Sequence, residues 1–232
     1  MSAEPQSAVG AATKGRHALS WSGGKDSALT LWKLRAQGIE PDALITTITD
    51  AYDRISMHGV RRELLLAQAE SVGVPLVEVE IPPACVNEVY EERMTRAFEA
   101  EPLASVQTVA FGDLFLEDIR AYREQRLAAS GRSGLFPLWG QDTTALAKEF
   151  VQAGFKAFIA CLDPRVLPAS FAGRAYDERL LADLPAEVDP CGENGEFHTF
   201  VSAGPIFSTP VACQRGEVVE REGFVFCDLL PV

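Results

Sequence analysis

The sequence predicts an α/β protein: a doubly wound, mostly parallel sheet followed by a smaller C-terminal α+β domain. Three observations point there. Short apolar runs rich in β-branched residues alternate with amphipathic stretches over the first 130 residues, the pattern of strands joined by crossover helices. Glycine or proline closes most of these segments. Beyond residue 130 the alternation gives way to Gly- and Pro-rich stretches that end in short β-like runs.

In chain order, residues 17–21 read as the first strand and 26–37 as a helix with Leu29, Trp32 and Leu34 among its apolar positions, stopped by Gly38. Residues 43–48, rich in Ile and Thr, read as the second strand. Residues 61–72 form a helix ending at Gly73, and 76–81 a third strand halted by Pro82 and Pro83. A strongly charged helix spans 87–100. A short fourth strand spans 108–111, ended by Gly112, and a further helix spans 116–129. Gly131, Gly134 and Pro137 mark a loop. A helix over 143–153 then leads through Gly154 to an apolar strand over 157–161, and 224–229 reads as a terminal strand. Residues 1–15, small and polar, are expected to be a disordered tail. The change of character near residue 130 is expected to divide the chain into two domains, residues 16–130 and 131–232.

Composition excludes several classes. No apolar run approaches the roughly 18 residues that cross a bilayer, and the N-terminus lacks the apolar core of a secretory signal. A cytoplasmic protein without membrane attachment is expected. The net charge of −12 argues against a protein that grips a phosphate backbone, so a nucleic-acid partner is not expected. The five cysteines are odd in number, widely spaced and never Cys-x-x-Cys, which suggests neither a disulfide framework nor a zinc ribbon. Self-association into a homo-oligomer is left open by the sequence.

The run Ser22-Gly23-Gly24-Lys25-Asp26-Ser27 sits where the first strand hands over to the first helix. Adjacent glycines bring backbone N–H groups close to an anion, and the helix start adds unpaired donors and partial positive charge. Lys25 brings a full charge, and Ser22 and Ser27 bring hydroxyls. Asp26 fits a phosphate site only beside a cation, which makes it a candidate magnesium ligand. A Walker A loop needs glycine where Leu19 stands and Ser or Thr where Asp26 stands, and no Gly-x-Gly-x-x-Gly follows the strand.

A second cluster, Cys191-Gly192-Glu193-Asn194-Gly195-Glu196-Phe197-His198-Thr199, sets two carboxylates and an imidazole between glycines. Such a run can converge on one ligand, with the carboxylates binding an amine, ammonium or magnesium and His198 moving protons near neutral pH. It can equally be a polar turn with Glu193 and Glu196 solvated. Gly112 and Asp113 follow the fourth strand, where open α/β sheets place ligands. Asp50 is similarly placed after the second strand, and His58 lies in the loop beyond it.

The Ser22–Ser27 run resembles the PP-loop of the N-type ATP pyrophosphatases. Residues 191–199, with Pro205 and Phe207, resemble the Gly-Glu-Gly-Gly-Glu-type signature of the diphthine–ammonia ligase family, with Asn194 where that family usually has glycine. Gly112-Asp113, Pro137-Leu138-Trp139-Gly140, Gly154-Phe155-Lys156-Ala157 and Gly173-Arg174 are also similar, so the resemblance covers residues 16–207. It implies a HUP-like domain of the adenine nucleotide alpha hydrolase type. It implies ATP and Mg2+ as cofactors, with the loop holding the β- and γ-phosphates as departing pyrophosphate. ATP contacts are then expected from Ser22, Gly23, Gly24, Lys25, Asp26, Ser27, Asp50, Gly112 and Asp113. Acceptor contacts are expected from His58, Glu193, Asn194, Gly195, Glu196, His198 and Thr199, and Lys25, Asp26, Glu196 and His198 are the expected catalytic set.

The implied reaction is adenylation of a carboxylate followed by amidation from ammonia or another amine. The acceptor is protein-bound diphthine or, in a bacterial relative, a small-molecule carboxylate. Two other readings stand beside it. Transfer-RNA modification would call for a persulfide cysteine or paired Cys-x-x-Cys and a basic face, while a non-enzymatic ATP sensor would release no pyrophosphate.

Overall fold

The computed structural model describes residues 15–49, 54–55 and 59–232. The first sheet is built on β1 (His17–Ser20), which pairs in parallel with β2 (Ala43–Thr49) on one side and β5 (Thr108–Ala110) on the other. Outside β2 lies β4 (Leu76–Ile81), and outside β5 lies β6 (Ser133–Leu135), both parallel. The two-residue β3 (Arg54–Ile55) pairs antiparallel with the end of β2. The parallel order is therefore β4-β2-β1-β5-β6, and the chain reverses its direction of travel between β1 and β5.

That reversal sets the layers. Right-handed crossovers put α1 (Lys25–Ala36) and α2 (Arg62–Val72) on one face, and α3 (Asn87–Glu99) and α4 (Glu117–Ala129) on the other. Alternate strand residues serve the two faces. Leu19 and Leu44 pack in one apolar cluster with Leu31, Leu34 and Leu65, whereas Ala18, Ala43 and Ile45 pack in another with Leu127. The second face is loosely covered: α3 has no buried residue, and α4 buries only Leu127.

The C-terminal part opens with α5 (Thr143–Gln152), whose first turn is capped by the Asp142 carboxylate accepting from the Ala145 N–H. Then follow β7 (Lys156–Leu162), α6 (Glu178–Asp183), β8 (Phe197–Ala203), β9 (Cys213–Arg221) and β10 (Phe224–Pro231). The strands form an antiparallel sheet in the order β8-β7-β10-β9. This sheet and the α5 segment before it join the α1–α2 layer: Phe150, Phe155, Phe200 and Val201 belong to the same cluster as Leu31 and Leu65. Phe155 stacks on Phe150 at 4.6 Å and meets Trp32 edge-on at 6.3 Å.

The expected fold class is the observed one. Within it, the loop expected after Gly131 contains β6, so the first sheet runs on to Leu135. Residues 197–199 of the second cluster are the start of β8, and β9 falls in the stretch expected to end in short β-like runs, of which only 224–229 was delimited. Among the described residues no helix is long and apolar enough to cross a membrane.

The two sheets meet at Gln68, which is fully buried on α2. Its Nε2 donates to the carbonyls of Gly23, 3.0 Å, and Val201, 2.6 Å, and its Oε1 accepts from the Trp21 indole at 3.1 Å. The Val201 N–H also donates to Gly23 O at 2.9 Å. Replacing Gln68 by Leu strands the Trp21 indole N–H and removes the side-chain donor to the Gly23 and Val201 carbonyls, at a cost of about 2 kcal/mol. Urea denaturation should show a loss of that order, and an unchanged midpoint would contradict the clamp.

Candidate functional site

The strand-to-helix loop is shaped by what packs against it. Gly23 has φ 74°, and a Cβ there would sit 2.5 Å from Gln68 Oε1. Gly24 is the N-cap of α1 and has no side chain to cap it. The missing acceptor comes from β8: the Lys25 N–H donates to Thr199 Oγ1 at 2.9 Å. Ser27 Oγ donates back to the Gly24 carbonyl at 2.9 Å and lies 3.3 Å from Ser22 Oγ. Gly112 brings the loop after β5 against the same helix start, since a Cβ there would lie 2.9 Å from the Asp26 carbonyl carbon.

A cavity of about 240 Å³ opens at this junction. Ser22, Gly24, Lys25, Asp26 and Ser27 form one wall, Gly112 and Asp113 a second, and Gly192, Glu193, Gly195, His198 and Thr199 a third. The loop and the second cluster, about 170 residues apart, thus face one space. The charges in it are paired. The Lys25 side chain is only 5% exposed, and its ammonium donates to both Asp26 oxygens at 2.7 and 2.8 Å. Burial alone would lower the Lys25 pKa, but Asp26 and other neighbouring acidic groups outweigh it and hold it above its ordinary value. Asp113 pairs with Arg123 at 2.7 Å, and its carboxyl is raised by burial despite that partner. Glu193 Oε1 accepts from the Leu114 N–H at 2.7 Å, bridging the two sheets. Burial pushes the Glu193 carboxyl from 4.5 up to about 7, and Asp26 and Asp113 add to the rise.

The other cluster members have different tasks. Glu196 is buried, but neither it nor Asn194 lines the cavity. Glu196 Oε1 accepts from the Asp189 N–H and from Asn194 Nδ2, both at 3.0 Å, so these two residues fix the turn that presents Glu193. Asp50 and His58 lie outside the described residues. The Cys191 thiol donates to the Thr143 carbonyl at 3.3 Å, and burial pushes it up to about 12, which keeps it a neutral thiol. Among the described residues no group of three or more His, Cys, Asp or Glu could hold a metal on its own.

Five lining residues were not among the expected contacts: Gly192 and Phe197 within the second cluster, and Ser20, Phe111 and Arg123 outside it. Arg123 shares α4 with Arg120 and Arg126, one turn away on either side, and nothing local separates the three. The structure does: Arg120 stacks on Phe136 and Trp139, Arg126 pairs with Glu91, and Arg123 turns into the cavity. Ser20, Phe111 and Arg123 also line a second cavity, about 330 Å³, between the sheet and the α3–α4 layer. Its walls include Ile45, Tyr90, Met94, Phe98 and Tyr122.

Residues 15–131 match the family described as the diphthamide synthase N-terminal domain, and residues 142–229 the diphthamide synthase C-terminal domain. The chain belongs to the diphthamide synthase family. Among relatives, the diphthine–ammonia ligase of Schizosaccharomyces pombe is 26% identical over 227 residues, covering 90% of this chain and 38% of that protein. The diphthine–ammonia ligase of Danio rerio is 26% identical over 219 residues, covering 85% of this chain and 86% of that protein. The chain thus spans a minor part of the S. pombe relative and most of the D. rerio one. Both halves of the cavity, the loop and the Glu193–Thr199 wall, fall within the two matched segments.

The raised Glu193 pKa fixes a sign. Its contribution to stability is present in full below the unfolded value, about 4.5, and is lost as pH rises through about 7. Melting temperatures of wild type and Glu193→Gln, compared across that window, should diverge with the wild type losing more at the alkaline end. Parallel curves would show that Glu193 ionises as an ordinary surface carboxyl.

Proposed function

We propose that this protein is an ATP-dependent ligase of the diphthine–ammonia ligase type. What carries the reading is a single cavity walled by a phosphate-type loop on one side and a carboxylate–imidazole segment on the other. The N–H groups of the first turn of α1 and the Lys25 ammonium suit the β- and γ-phosphates of ATP. The apolar second cavity, joined through Ser20 and Phe111, suits the base. The N-terminal sheet handles the nucleotide, and the C-terminal segment, residues 131–232, brings the acceptor wall.

In the reaction, a carboxylate oxygen of diphthine attacks the α-phosphorus. The bond from that phosphorus to the bridging oxygen breaks, and pyrophosphate leaves. Ammonia then attacks the acyl carbon of the mixed anhydride, loses a proton, and AMP departs with the electron pair. His198 and Glu193 face the acceptor side. A carboxyl that titrates near 7 can take the proton lost by the incoming nitrogen, and the His198 imidazole lines the same wall. The chain's part is mainly positioning and charge balance. Glu196 acts behind this wall, holding the turn rather than touching the acceptor.

Magnesium fits as a phosphate-bound ion rather than one caged by protein. Three carboxylates, Asp26, Asp113 and Glu193, line the cavity against the cations Lys25 and Arg123, so a polyphosphate there needs added positive charge. Asp26 would be its protein ligand, and the ion would supply charge neutralisation on the phosphate oxygens. The protein works in the cytoplasm on an acceptor and ammonium, with no nucleic-acid or membrane partner.

Two outcomes are expected. With ATP, diphthine-bearing acceptor and ammonium chloride, chromatography of the spent nucleotide should show AMP and pyrophosphate, whereas ADP and phosphate would refute the reaction. Lys25→Ala should weaken ATP binding at least about tenfold, the worth of one charge-assisted contact. Equal affinity in a titration would remove Lys25 from the phosphate site.

A further inference from the structure

Arg123 stands at the junction of the two cavities. Among the described lining residues it is the one cation that both cavities share. Its guanidinium lies 4.4 Å over the Phe111 ring. Its Nη2 donates to one Asp113 oxygen at 3.2 Å, and its Nε lies 2.7 Å from the other as an ion pair without hydrogen-bond alignment. Asp113 is itself half-buried and tied to the loop after β5, so stacking and pairing together hold the fork in one orientation. Nη1 has no protein partner among the described residues, which leaves one edge of the fork for a ligand.

We propose that Arg123 binds the α-phosphate of the nucleotide, donating from its free edge to a non-bridging oxygen. The inference rests on the placement of ATP given above. With the β- and γ-phosphates on the Ser22–Ser27 loop and the base in the apolar cavity, the α-phosphate must pass between the two. The elements common to both cavities mark that passage: Ser20 at the end of β1, Phe111 at the end of β5, and Arg123 reaching down from α4. Lys25 is less well placed for it: its ammonium is held by both Asp26 oxygens, and it lines only the first cavity. A planar fork suits the place better than a point charge. In the displacement, the α-phosphorus keeps its two non-bridging oxygens while the acceptor oxygen bonds and pyrophosphate leaves. A guanidinium on one of those oxygens stays in register from ATP to AMP. Asp113 is then a positioning residue that aims Arg123.

The test uses the two diastereomers of adenosine 5′-O-(1-thiotriphosphate), which replace one or the other non-bridging α-oxygen by sulfur. Wild type should bind one diastereomer about tenfold more tightly than the other, since sulfur is the poorer acceptor for a charged donor. Arg123→Ala should bind both alike and ATP more weakly, and added guanidinium ion should restore the preference, which a merely structural role would not allow. Arg123→Lys, which keeps the charge without the fork and covers the case that the alanine variant does not fold, should show a reduced preference. A wild type without preference, or an alanine variant that keeps it, would overturn the assignment. Product analysis on wild type reports separately on the ligase reading. ADP in place of AMP would sink that reading while leaving the diastereomer result to decide whether Arg123 touches the α-phosphate.

Discussion

The phosphate-type loop of this protein is finished by a strand from the other sheet. A glycine at the N-cap of α1 leaves the helix start without a side-chain acceptor, and helix starts carry several unpaired N–H groups. Thr199 on β8 supplies the acceptor to the Lys25 N–H, and Val201 and Gln68 converge on the Gly23 carbonyl from two directions. Glycine is needed at 23 and 24 because this contact is so close: a Cβ at Gly24 would sit 3.0 Å from the Thr199 carbonyl. The loop geometry, the docking of the second sheet and the position of the Glu193–Thr199 wall are consequences of one set of hydrogen bonds.

The same docking sets the electrostatics. Closing β8 onto the loop buries Lys25 and half-buries Glu193, whose carboxyl then rises to about 7. Three carboxylates and two fixed cations share a small space, and each cation already has a carboxylate partner, Asp26 for Lys25 and Asp113 for Arg123. A polyphosphate entering this space exchanges these partners rather than meeting bare charge, which keeps buried ions paired with and without ligand. The looser α3–α4 face leaves the second, largely apolar cavity beside it.

Much of this was legible in the sequence where the signal is local. The Ser22–Ser27 run carries its glycines, charge and hydroxyls in six positions, and the strand and helix on either side follow from apolar periodicity. Gly112-Asp113 could be placed because the end of a parallel strand is a sequence-visible landmark. Other features depend on packing. Glu193 and Glu196 are the same residue type three positions apart between glycines. Which of them faces the cavity is decided by the start of β8 and by the Asp189 and Asn194 donors that capture Glu196. Arg123 cannot be told from Arg120 and Arg126 until aromatic and acidic partners on other elements claim those two. The Ser-Gly-Leu strand β6 is three residues long and has no periodicity to read, and the outer strand β9 carries mostly charged and polar residues.

The central claim is that the shared cavity joins the carboxylate oxygen of an acceptor to the α-phosphorus of ATP. Transfer of isotope tests it most directly. Diphthine-bearing acceptor labelled with 18O in its carboxylate would be turned over with ATP and ammonium, and the products read by mass spectrometry. Attack on the α-phosphorus predicts one labelled oxygen in AMP and none in pyrophosphate. Label in inorganic phosphate, or AMP formed with no label, would contradict it.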